Sequence, residues 1–361
     1  MKGWMGKLKV FFLLSIVTFF LAGCGKDNLT ALVPKGFGAQ ESMKLIILTT
    51  VVMTLVFIVV LILFIVVLLR YRRKKGQEDY IPKQVEGNKT LETVWTVIPI
   101  ILVLIMAIPT VISTFVLADD SKSKDHLNIE VKGNQYWWHF KYRDEEDPTG
   151  KDKNYSIQTS QDLYIPTGEK VYLHMKSNDV IHSFWVPSIS GKMDVNPENE
   201  NTMYIEAYEE GVYWGKCAEL CGPSHSLMDF KVIAVSPDEY DKWAKDMQDF
   251  DPKQKPEEKV AQEGKELFES KSCIACHAIG NEGSDTGPNL TDFGNRTKYA
   301  GVLDPEKDNL VKWITDPESV KPGNEMTGKY PEVSDEEAGK IAEYLMQLKP
   351  SDVSPKSASK N

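Results

Sequence analysis

The first third of the chain carries three long apolar blocks, and nothing comparable follows them. Val10 to Leu21 is the shortest, and its length suits an export signal better than a membrane span. Leu45 to Leu69 runs 25 residues without a charge, about 37 Å as a helix, which is enough to cross a bilayer. Val94 to Leu117 is a second span, with Trp95 as an interfacial aromatic; its Pro99 and Pro109 are tolerated in lipid-buried helices. Beyond residue 118 the period changes. Val171, Leu173 and Met175 alternate with Tyr172, His174 and Lys176, and Met203, Ile205 and Ala207 repeat the alternation, so residues 127–236 read as an all-β region. Ser236, Pro237 and Glu239 then open a helix. After the polar stretch Asp251 to Pro256 the pattern is helical to the end. Its last clear helix is capped by Ser334 and Glu337 and faces inward through Ile341, Leu345 and Leu348.

These patterns divide the chain into a signal segment (1–23), an outer segment (24–44), a span (45–69), a loop (70–93), a second span (94–117), a β domain (118–250), a linker (251–257), a helical domain (258–350) and a frayed polar tail (351–361). Lys2, Lys7 and Lys9 precede the first apolar block, which ends Leu21-Ala22-Gly23-Cys24. That ending resembles a bacterial lipobox, which implies lipidation of Cys24 as the new N-terminus. Arg70, Arg72, Arg73, Lys74 and Lys75 place the loop between the spans on the cytoplasmic side. Both ends of the chain, and everything after about residue 118, then lie outside.

Composition narrows the function. The 361 residues hold 42 Lys+Arg against 52 Asp+Glu, a formal net charge of −10, which excludes nucleic acid as the main partner. Five cysteines remain to be explained. Outside the cytosol two disulfides are the default reading of Cys217/Cys221 and Cys273/Cys276, but the neighbours of each pair point elsewhere.

Cys273-Ile274-Ala275-Cys276-His277 is the attachment signature of c-type haem: two thiols add to the vinyl groups and the adjacent histidine meets the iron. Only Met326 and Met346 follow as methionines, and no histidine follows at all. Met346 sits in the terminal helix beside Leu345, whereas Met326 lies in the loop Lys321 to Met326, so Met326 is the expected second axial ligand.

Residues 217–228 gather Cys217, Cys221, His225 and Met228, a soft donor set that suits electron-transfer copper. Two cysteines can bridge two copper ions, which then need another histidine; His182, after a strand, is the best candidate. A disulfide, a zinc site, and His182 as an ordinary core histidine remain open from these residues alone.

The copper-type loop, the stretch His182-Ser183-Phe184-Trp185-Val186-Pro187 and the two spans together resemble subunit II of haem–copper cytochrome c oxidases. The added haem motif makes the chain similar to the fused caa3-type branch. The resemblance implies a cupredoxin-like Greek-key barrel holding binuclear copper (CuA), followed by an all-α cytochrome c domain. It implies that Glu219 offers its carbonyl to copper and its carboxylate to a magnesium shared with subunit I. It further implies subunits I and III as partners, with an external donor such as a cytochrome c or an upstream respiratory complex. The multi-pass chain would lie in a bacterial cell membrane, in contact with lipid, and oxygen would be reduced in subunit I. Other readings are a CuA subunit of a nitric or nitrous oxide reductase, a quinol-oxidase subunit, and a copper chaperone or thiol-redox protein. No general acid, base or nucleophile is visible, so no catalytic residue is assigned.

One departure stands out. Where many family members read Gln-Trp-x-Trp, this chain has Gln135-Tyr136-Trp137-Trp138, with tyrosine at the position where soluble cytochrome c delivers its electron. Tyr136, Trp137 and Trp138 are therefore electron-transfer candidates, with barrel packing the competing role for both tryptophans. Met228-Asp229 likewise replaces a common methionine–proline pair, which is expected to alter the rim of the loop and leave its ligands alone.

Overall fold

The computed structural model describes residues 11–12, 15, 27–72, 76, 81, 83–84, 86–118, 126–143 and 157–355. Cys24, most of the segment 1–23, and residues 73–75, 77–80, 82 and 85 of the loop between the spans lie outside the described residues.

Two helices form the apolar part: α1 (Phe37–Tyr71) and α2 (Lys89–Leu117). The side chain of Asn88 caps α2 by accepting from the Thr90 and Leu91 amides, and both prolines are carried inside the helix. Helix α1 starts eight residues before the apolar run, because its first turns rest on the β domain. Lys35 N–H donates to Ser188 O (2.6 Å), Phe37 N–H to Glu206 O (3.2 Å) and Ala39 N–H to Ile189 O (3.2 Å). At Gly36 the backbones approach so closely that an added Cβ would stand 2.3 Å from Glu206 O. The Tyr204 hydroxyl donates to Val116 O (3.1 Å), tying down the end of α2 as well.

The β domain is a sandwich of two five-stranded sheets. One contains β1 (Leu127–Asn134), β2 (Trp137–Tyr142), β3 (Ile157–Ser160), β5 (Val171–Ser177) and β8 (Asn201–Ile205), in the order β3-β2-β1-β5-β8. The other contains β4 (Asp162–Pro166), β6 (His182–Trp185), β7 (Lys192–Val195), β9 (Gly211–Cys217) and β10 (Asp229–Val235), in the order β4-β10-β9-β6-β7. The inward positions of both sheets build one core, in which Trp138, Phe184 and Phe230 are fully buried. The rings of Phe184 and Phe230 lie 4.6 Å apart, a pair worth roughly 0.5–1.5 kcal/mol beyond the area it buries.

Helix α3 (Pro237–Gln248) follows, with Ser236 accepting from the Glu239 amide, and Trp243 stacks on Tyr164 at 4.5 Å. The C-terminal domain packs α4 (Lys259–Ser270), α5 (Lys307–Thr315), the short α6 (Pro317–Val320) and α7 (Asp335–Met346) around a second core. It is helical apart from a two-residue hairpin, Ala278–Ile279 with Glu282–Gly283. Ser334 and Glu337 make a reciprocal capping box at the start of α7.

The tail departs from its expected fraying. Ser351 and Val353 are buried: the Ser351 hydroxyl donates to Asp246 on α3 (2.6 Å), and Val353 joins the core of the β domain. The Asn295 side-chain amide donating to Ser351 O (2.7 Å) and an ion pair between Lys242 and Asp352 hold the same stretch, which composition marks as polar.

Candidate functional site

Strand pairing assembles the first site. Antiparallel β6 and β9 set Phe184 opposite Cys217, so the head of β6 meets the end of β9. His182 thus arrives beside Cys217. Neighbours β9 and β10 are joined by the loop that carries the other donors, and Ala218 N–H holds this loop to Ser183 O (2.9 Å). Gly222 at φ +133° and a short turn, His225–Leu227, bring the chain back on itself.

The donors converge. The sulfurs of Cys217 and Cys221 are 3.8 Å apart, and Cys217 Sγ lies 3.9 Å from His182 Nδ1. Cys221 Sγ stands 3.6 Å from His225 Nδ1 and 3.8 Å from Met228 Sδ. The carbonyl of Glu219 is 3.2 Å from Cys217 Sγ, while its side chain is exposed. His182, both cysteines and Met228 are buried. The cysteines are reduced, so the disulfide reading has no support here. Paired sulfurs flanked by imidazoles and a thioether fit soft copper better than zinc.

Electrostatics fit a metal as well. The Cys221 thiol, hydrogen-bonded to Cys217, draws the Cys217 pKa down to about 3, and the same contact pushes Cys221 up. Metal binding at such a pair would displace its thiol protons. Burial pulls His182 down, yet hydrogen bonds to Asp179 and Cys217 outweigh it and leave the imidazole raised.

Asp179 is the residue that sequence reasoning missed. Its carboxylate accepts from His182 Nε2 (2.7 Å) and from the Gln135 amide (2.6 Å), fixing which imidazole nitrogen faces the sulfurs. Its position three residues before His182 was the available signal. Asp179→Asn is expected to weaken copper retention about 10- to 100-fold, the usual cost of removing a ligand's outer partner. A competitive chelator titration checks it; unchanged retention would remove Asp179 from the site.

The second site is a cavity of about 350 Å³ whose lining includes Cys273, Cys276, His277 and Met326, with apolar walls such as Phe268, Leu310 and Leu345. The His277 Nδ1–H donates to Pro288 O (2.8 Å), which leaves Nε2 for a metal. Burial lowers the His277 pKa, favouring the neutral imidazole that ligation requires. A flat apolar macrocycle bonded to two thiols fits this chamber. Met346 packs on the helical core and does not line it.

The two sites share a wall. Tyr136 and Trp137 line the haem-sized cavity from the β domain, while Trp138 lies beneath the copper loop. The Trp138 Nε1–H points at Met228 O (3.4 Å), and its ring meets His182 edge-on at 6.0 Å. Further bonds join the domains: Asn289 N–H to the Ser160 hydroxyl (2.9 Å), and an ion pair between Lys141 and Asp285 (2.8 Å).

Comparison with known proteins supplies the lineage. Residues 39–112 match the transmembrane domain of cytochrome c oxidase subunit II, 127–235 its periplasmic domain, and 261–349 cytochrome c. Cytochrome c oxidase subunit 2 of Bacillus subtilis (strain 168) is 45% identical over 359 residues, covering 94% of this chain and 98% of its own length. The chain belongs to the cytochrome c oxidase subunit II family.

The subunit of the same name from Bacillus sp. (strain PS3) is 48% identical over 360 residues, covering 94% of this chain and 97% of the relative. A quinol oxidase subunit 2 from Bacillus cereus (strain ATCC 14579) is 34% identical over 237 residues, 65% of this chain and 78% of that one. As a subunit II with a fused cytochrome c domain, the chain is the electron-input redox subunit of a membrane-bound respiratory oxidase. Its β domain is outer-side, and its cofactors are copper in that domain and haem c in the helical one.

Proposed function

We propose that His182, Cys217, Cys221, His225, Met228 and the Glu219 carbonyl hold a binuclear copper centre. In the same reading Cys273 and Cys276 tether haem c, with His277 and Met326 as its axial ligands. When bound, these groups supply reversible one-electron chemistry at low reorganisation cost. The chain's own contribution is placement. Apolar side chains such as Phe268, Leu310 and Leu345 wall the haem chamber, Asp179 and the Pro288 carbonyl orient His182 and His277, and docking sets the haem chamber against the copper loop. The observation that carries the reading is the shared wall, with Tyr136 and Trp137 lining the haem chamber from the copper domain.

This arrangement accounts for the tyrosine at position 136. Tyr136 is only 3% exposed, so a soluble cytochrome c has no free tyrosine surface to dock on. Electrons from an external donor would enter through haem c, pass to copper and leave for subunit I, where oxygen is reduced. The exposed Glu219 carboxylate would face a magnesium ion at the boundary with that subunit, subunit III would complete the complex, and lipid on Cys24 would add an outer anchor.

The test is a single-electron flash reduction of haem c in the purified, copper-loaded complex. Oxidised copper should show about seven EPR lines, the mark of one unpaired spin shared by two nuclei, against about four for one copper. The electron placed on the haem should then reappear at the copper. A four-line spectrum, or a haem that keeps its electron, would overturn the reading.

A further inference from the structure

The loop carrying Met326 begins with a lysine in an unusual place. Lys321 is 3% exposed at the seam between the two domains, where an ammonium group is costly to bury without a partner. Its Nζ donates to the carbonyl oxygen of Tyr136 (2.8 Å), 185 positions earlier in the chain. The next residue is held too, since the hydroxyl of Ser224, inside the copper loop, donates to Pro322 O (2.8 Å).

The opposite face of this contact leads straight to copper donors. Gln135, adjacent to Tyr136, donates from its side-chain amide to the carbonyl of Cys221. Its own amide is held by Asp179, the partner of His182. The close packing continues through glycines: a Cβ on Gly222 would stand 2.5 Å from the Tyr136 hydroxyl, and one on Gly323 would stand 3.5 Å from it. Tyr136 is therefore wedged between the copper loop and the Met326 loop.

We propose that Lys321 and Ser224 form a latch that docks the methionine loop of the haem domain onto the copper loop, making Lys321 a positioning residue for electron transfer between them. The inference rests on the functional reading above and adds to it. Domain contacts elsewhere on the seam hold the bodies together, but these two bonds set the register of the loops that carry the ligands. A lysine suits the role because its long stem crosses the seam while its head satisfies a buried carbonyl.

The test uses the full copper-loaded complex with Lys321→Met, which keeps length and removes the donor, and Lys321→Arg, which restores one. Two readouts are taken: hydrogen exchange at residues 134–137 and 322–326, and the rate at which one electron flashed onto haem c reaches the oxidised copper. Lys321→Met is expected to raise exchange in both segments and slow transfer about tenfold, equivalent to about 1.4 kcal/mol. The iron–methionine absorption band and the seven-line copper spectrum should stay as they are, and Lys321→Arg should recover most of the rate. Ser224→Ala should give a smaller change of the same kind, and it supplies the reading if Lys321→Met does not fold. Unchanged exchange and unchanged transfer in these variants would overturn the latch. Absence of transfer in the unmodified complex would instead overturn the functional reading, leaving the latch to be judged on exchange alone.

Discussion

Cys221→Ser is expected to abolish the proposed binuclear copper centre and, with it, oxidase turnover. Cys221 stands at the centre of the loop's donors: Cys217 at 3.8 Å, His225 Nδ1 at 3.6 Å and Met228 Sδ at 3.8 Å. Serine is nearly isosteric, so the fold of the loop survives. Its hard hydroxyl is a poor ligand for soft copper and cannot bridge two ions. Copper per chain should drop from two to one or none, and the seven-line spectrum should collapse. Turnover should fall by more than about a hundredfold, since losing even an outer partner of a ligand costs 10- to 100-fold. Haem attachment, resting on a separate domain, should be unaffected. Metal analysis, EPR and oxygen uptake on one preparation decide it. Two coppers with an intact spectrum would mean that Cys221 is not a bridging ligand.

Met326→His should leave the haem attached but displace its potential downward. In the proposed reading, attachment depends on Cys273 and Cys276, whereas an axial methionine thioether from Met326, which lines the same cavity, would stabilise the reduced iron. An imidazole in its place should lower the potential by on the order of 100 mV, within the ~0.8 V over which axial ligands tune haem. At about 59 mV per tenfold for one electron, delivery to copper shifts roughly fiftyfold, in the downhill direction. The limiting step is then reduction by the external donor, so turnover falls at the input end. A potentiometric titration, with the iron–methionine band as a second readout, measures this. An unchanged potential and a persistent band would take Met326 out of the coordination sphere.

What could be read from the sequence followed from local regularity. The spans, the alternating strands, the caps at Ser236 and Ser334 and the five-residue haem motif each depend on a short window of residues. The candidate copper donors were nearly as legible, because four of them fall within twelve positions. His182, 35 positions before Cys217, took more inference, and the pairing of β6 with β9 is what brings it beside that cysteine. Asp179 and Lys321 were not found, for a common reason. Lys321 acts through Tyr136, 185 positions away, and Asp179 acts on a histidine whose own role was inferred; an aspartate or a lysine in a polar stretch looks like solvated surface. The tail failed in the opposite sense: composition said polar, and Val353 with the Ser351 hydroxyl found buried partners.

Tyr136 shows how a departure from a family pattern can carry information. The substitution read as a lost docking point for a soluble donor. With the haem chamber pressed against it, the position instead becomes an internal surface.

The join between the β domain and the spans has a mechanical consequence. Residues 35–39 hydrogen-bond along the barrel and run without a spacer into α1, while Tyr204 grips the last turn of α2 at Val116. The barrel is thus cantilevered from the bilayer on two stiff struts. With so short a join, the tilt of the helix pair would set the height and heading of the β domain above the bilayer. Lengthening the polypeptide at residue 36 would loosen one of these two struts without touching a single candidate ligand.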